Sequence, residues 1–94
     1  MQDKKLILQK SLGKIIAKER KNISITQLSA EVELSKSIWS DVERGKKDIQ
    51  LSTFWRIAEA LYIKPSVLLD LIEKDLGETF SFIDDFDCDL APKN

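Results

Sequence analysis

Histidine is absent from this 94-residue chain, cysteine occurs once, proline twice and glycine three times. Without histidine, the usual general base of catalytic triads and dyads is missing. With no cysteine pair either, the common zinc geometries cannot be assembled. Cys88 has no partner in the chain for a disulfide, which fits a reducing compartment. No apolar run approaches the ~18 residues of a membrane span, and Lys4-Lys5-Leu6-Ile7-Leu8 turns charged too early for a signal peptide. The length supplies one hydrophobic core and is too short for barrels or doubly wound sheets. These absences predict a cytoplasmic, non-enzymatic protein with no cofactor, no metal and no membrane partner.

Charge of one sign is not in excess. Lys and Arg number 15 against 16 Asp and Glu, for a formal net charge of −1. That sum argues against a uniformly basic nucleic-acid binder. The distribution is polarised, however: residues 1–47 carry 11 basic and 6 acidic side chains, and residues 48–94 carry 4 and 10. One half is suited to an anionic partner and the other is not.

What is present is helical periodicity. Leu8, Leu12, Ile15 and Ile16 recur at i, i+4, i+7 and i+8, predicting a helix over about 3–21 that stops near Asn22. Its other face carries Lys10, Lys14, Lys18 and Lys21. Ser24-Ile25-Thr26-Gln27 reads as a capping box opening a short helix to about Val32, with Leu28 and Val32 facing inward. Ser35 is the next N-cap. The helix that follows, 36–44, has Trp39 and Val42 on its inner face and Gly45 at the left-handed C′ position. A fourth helix over 52–61 buries Phe54, Ile57, Ala58 and Leu61, and Pro65 opens a fifth over 65–76. That last helix is apolar most of the way round (Val67, Leu68, Leu69, Leu71, Ile72, Leu76), more than a small core can absorb, which points to a partner surface. The expected fold is all-α, five helices followed by an acidic-aromatic tail. The tail holds Glu78, Asp84, Asp85, Asp87 and Asp89, interleaved with Phe80, Phe82, Ile83, Phe86 and Leu90. Packing of Phe80, Phe82 and Ile83 would order its first part, over 78–86.

Two short helices capped by Ser24 and Ser35 and joined by a tight turn form a helix-turn-helix. The first lies across a nucleic-acid backbone with its amides toward a phosphate. The second presents its outer side chains to a major groove ~12 Å wide. From Leu12 to Leu69, about 60% of the chain, the sequence resembles the Cro/phage-repressor family, also called the xenobiotic-response-element type. The resemblance runs through Ile23-Ser24, Leu28-Ser29, Leu34-Ser35-Lys36-Ser37, Val42-Glu43-Arg44-Gly45 and Ile57-Ala58-Glu59-Ala60-Leu61. The Lys46–Leu51 stretch, which lacks the family's usual proline, is more weakly similar to restriction–modification controller proteins. Ile25 and Glu33 stand where the family often has Gln and Gly.

The resemblance implies a five-helix lambda-repressor-like domain over 1–76, with its motif at about 24–45 and the tail at 77–94. It also implies transcriptional control by a homodimer on a pseudo-palindromic double-stranded DNA operator. By matching position, Lys36, Ser37, Ser40 and Asp41 would contact base edges. Asp41 would accept from cytosine N4 or, since nearby phosphates repel a carboxylate, act by excluding wrong sequences. Ser24, Thr26, Arg44, Lys46 and Lys47 would contact phosphates. Glu43 needs a cationic partner, Lys18 or Arg20. Trp39 belongs to the core. Trp55 is core rim or, with Val67, Leu69, Ile72 and Leu76, dimer surface. A second reading makes the chain a protein-interaction module, an antitoxin or a phage or plasmid accessory protein, acting through its acidic half and a protein partner for the tail.

Overall fold

The computed structural model describes residues 3–32 and 34–83, and every regular element among them is an α-helix. The order is α1 (Lys4–Arg20), α2 (Ile25–Val32), α3 (Lys36–Glu43), α4 (Leu51–Ala60) and α5 (Pro65–Leu76). Three N-termini carry side-chain caps, and two of these, Ser24 and Ser35, were expected from the sequence. Asp3 accepts from the Lys5 and Leu6 amides at the start of α1. The Ser24 hydroxyl accepts from the Gln27 amide at 3.1 Å, the Ser35 hydroxyl accepts from the Ile38 amide at 3.2 Å, and Pro65 opens α5. Helices α4 and α5 begin at Leu51 and Pro65 with no side-chain cap.

The apolar faces meet in one core. Ile16 of α1, Leu28 of α2, Trp39 and Val42 of α3, Ile57 of α4 and Leu68 of α5 are fully buried. Each such side chain contributes about 1.5–3 kcal/mol by leaving water. Helix α1 packs on α3 and α5, α2 packs on α3 and α4, and α4 packs on α5.

Two glycines let α1 sit tightly on the end of α3. A Cβ at Gly13 would overlap the Val42 and Glu43 carbonyl oxygens. Gly45, at φ +72°, would bring one to 2.7 Å from Lys10 Cγ and 2.9 Å from its Cα. A second tie runs from α1 to α5. The Ser11 hydroxyl donates to Asp75 Oδ2 at 2.6 Å, and Lys14 Nζ lies 2.6 Å from Oδ1. The Lys14 hydrogen bond, then that from Ser11, holds the Asp75 carboxyl below its ordinary range.

Three expectations change. Helix α1 ends at Arg20, because Lys21 adopts φ 55° and turns the chain back. Ile72, assigned to the dimer surface, is 3% exposed and belongs to the core of its own protomer. Phe80 is half-buried and stacks edge-on against Phe82, with ring centres 5.7 Å apart, but Phe82 and Ile83 are themselves exposed. Phe80 lines a hollow with Leu8, Leu69 and Leu76, and neither Phe82 nor Ile83 lines it. Glu33, Phe86, Cys88 and Leu90, and the aspartates from 84 on, lie outside the described residues.

Candidate nucleic-acid interface

Helix α3 is only two turns long, and its orientation is set from both ends and from beneath. Trp39 and Val42 anchor it in the core with no exposed surface. The Trp39 indole N–H has no hydrogen-bond partner among the described residues, a cost of about 1–3 kcal/mol. Burial of ~150–250 Å² of ring surface outweighs that cost. At the C-terminal end Arg20 grips Glu43 in a two-pronged ion pair. Nε donates to Oε2 at 2.6 Å and Nη2 donates to Oε1 at 3.0 Å, while Nη1 donates to the Ile23 carbonyl at 2.9 Å. The Glu43 hydrogen bond raises the Arg20 pKa above its already high value. Of the two candidate partners for Glu43, the structure selects Arg20.

Beyond Glu43 the helix closes with a Schellman turn. The Gly45 amide donates to the Val42 carbonyl at 3.0 Å and the Lys46 amide donates to the Asp41 carbonyl at 2.9 Å, with Gly45 left-handed between them. This turn fixes where the chain leaves α3 and sets Lys46 and Lys47, both exposed, beside its last turn.

The remaining face of α3 is polar and outward. Lys36 and Ser37 are exposed, and Ser40 and Asp41 are half-buried one turn on. Ser37 shares a hydrogen bond with Ser35 at 3.1 Å. Arg44 folds back along the helix. Its Nη2 donates to Ser40 Oγ at 2.6 Å and its Nε at 3.2 Å. The two residues were expected in separate roles, one at a phosphate and one at a base, but the structure couples them. Ser24 and Thr26 are exposed at the start of α2.

Sequence reasoning assigned no role to Gly13, Ser11 or Asp75. A glycine inside an apolar helical stretch was the available signal for the first. Nothing links the other two, which are 64 residues apart. Of the expected dimer residues, Trp55, Val67 and Leu69 are 52%, 46% and 57% exposed, and Leu76 is half-buried. Leu51, which the sequence reading left just before the fourth helix, is 74% exposed and shares with Leu69 a hollow of about 320 Å³.

The helix-turn-helix family model matches residues 16–68, which takes in the last five residues of α1, all of α2–α4 and the start of α5. The chain belongs to the helix-turn-helix family. Among curated relatives it is 35% identical over 51 residues to the control protein C.BamHI of Bacillus amyloliquefaciens, covering 54% of this chain and 63% of that one. It is 31% identical over 75 residues to the control protein C.MunI of a Mycoplasma species, covering 80% of this chain and the whole of the relative. In this helix-turn-helix protein the matched stretch contains the expected recognition helix, the Arg20–Glu43 pair and the Lys46-Lys47 loop. Among the described residues, no helix is long and apolar enough to cross a membrane.

Proposed function

We propose that this protein is a transcriptional regulator that binds a pseudo-palindromic DNA operator as a homodimer, with α3 in the major groove. The observation that carries the reading is the division of α3. Its inner residues, Trp39 and Val42, hold it rigidly, and its outer row, Lys36, Ser37, Ser40 and Asp41, is polar. In this reading Lys36 donates to guanine O6 and N7, and the serines, with Arg44 braced on Ser40, supply adaptable donors. Ser24 and Thr26 at the α2 N-terminus and Lys46 and Lys47 after α3 hold the flanking phosphates. The likeness to two control proteins supports a regulatory role.

Trp55, Val67 and Leu69, with Leu51 and the rim of Leu76, form the dimer contact in this reading. A two-fold pair of such subunits sets its recognition helices ~34 Å apart, one turn of DNA. The domain ends with α5, and the tail that follows carries exposed Phe82 and Ile83 toward a protein partner.

Selection of bound sequences from random duplex DNA at low salt tests this directly, with solution mass measured alongside. The expected result is an inverted repeat with half-sites one helical turn apart, bound by a dimer. The double variant Lys36→Ala/Lys46→Ala should lose operator binding while keeping its helical circular dichroism. Full operator affinity in that folded variant would show that the interface lies elsewhere.

A further inference from the structure

Three lysines of this surface are held in ion pairs. Lys5 pairs with Asp48 at 3.2 Å, Lys14 with Asp75, and Lys74 with Asp70. Lys10, Lys46 and Lys47 are exposed and pair with no carboxylate among the described residues. These three also lie together. The Lys10 Cγ rests 2.7 Å from the position a Cβ would take on Gly45, and Lys46 and Lys47 follow Gly45 directly. The carboxylate of the same loop, Asp48, is engaged by Lys5, and no ion pair joins the three lysines to a carboxylate among the described residues. Like charges held side by side repel unless an anion joins them. The close seating of α1 on Gly45 fixes the backbone of Lys10 beside the start of the Lys46-Lys47 loop.

We infer that Lys10 of α1 completes a three-lysine clamp with Lys46 and Lys47 that holds a DNA phosphate outside the recognition-helix contacts. This rests on the DNA-binding reading above and extends it to a helix outside the helix-turn-helix motif. The stem of Lys10 packs on the Gly45 backbone and its ammonium reaches the same anion path as the loop. A phosphate contact carries no base information, so the clamp adds affinity equally on all sequences. Its other consequence is one further displaced counterion, and hence a steeper dependence on salt.

The test compares wild type with Lys10→Gln, which keeps most of the stem and removes the charge, Lys10→Arg, which restores the charge, and Lys64→Gln as a remote exposed control. Binding to a fluorescein-labelled mixed-sequence duplex is followed by anisotropy from ~50 to ~200 mM salt. Lys10→Gln should bind about five- to tenfold more weakly at the low end and lose about 0.9 from the slope of log K against log salt, so that the gap narrows about threefold across the range. Lys10→Arg and Lys64→Gln should match wild type. A Lys10→Gln variant with the wild-type slope, whether or not its affinity falls, overturns the clamp, because a packing role leaves the slope unchanged. Wild-type protein that binds no duplex at low salt removes the DNA-binding reading itself, and the clamp with it.

Discussion

At Tyr62 the chain repeats the turn seen at Gly45 with the wrong residue for it. The Tyr62 amide donates to the Glu59 carbonyl and the Ile63 amide to the Ala58 carbonyl, both at 3.0 Å, the same pair of bonds that closes α3. Tyr62 sits between them at φ 60°, where a residue with a Cβ is strained by about 1–2 kcal/mol. Its side chain is 81% exposed and returns little of that cost. Tyr62→Gly is therefore expected to stabilise the domain by about 1 kcal/mol and raise the melting midpoint by ~4–8 °C; a melt at or below the wild-type midpoint would remove the argument. Gly45 was legible in the sequence because glycine advertises a left-handed cap. Tyr62 and Lys21 were not, since nothing in a tyrosine or lysine signals positive φ. The choice of Arg20 over Lys18 was only partly legible, in that Arg20 continues the inward row of Leu12 and Ile16 while Lys18 lies on the lysine face. The two point to well-separated sides of α1, and which side meets Glu43 depends on how far the helix is rotated about its axis.

That rotation is decided between elements. The approach of α1 to the last carbonyls of α3 is closer than any side chain at residue 13 permits. Alanine is the better helix former by about 1 kcal/mol, yet Gly13→Ala should destabilise the domain by about 2 kcal/mol or more, because α1 must lift off α3 to admit the methyl group. Urea unfolding measures this, and a neutral or stabilising outcome would show that the seating is loose. The five helices, the Ser24 and Ser35 caps and most of the core could be read from residue type and spacing. The apolar stripe of α5 could not be apportioned that way. Leu68 and Ile72 turn into the core while Val67 and Leu69 stay out, and periodicity in a helix apolar nearly all round does not say which arc meets its neighbours.

Over the whole molecule, Asp75 ties the first helix to the last, and the tie is sensitive to acid. With its folded pKa lowered by Lys14 and Ser11, the group contributes stability that is complete above the ordinary carboxylate value of ~3.9. Below that value the unfolded chain takes up a proton that the folded one resists, and the contribution is lost as pH falls through the folded pKa. Asp75→Asn should accordingly lose stability less steeply than wild type as pH falls below ~4, in parallel urea titrations. Identical pH profiles would mean that the bridge adds nothing to stability. The pairing was invisible in the sequence because it joins side chains at opposite ends of the chain. The outer row of α3, by contrast, shares no residue with the core beneath it. Exchanges at Lys36 or Ser37 would cost only about 0.5 kcal/mol or less, so a lineage carrying this scaffold is free to drift from one target to another while its architecture stays unaltered.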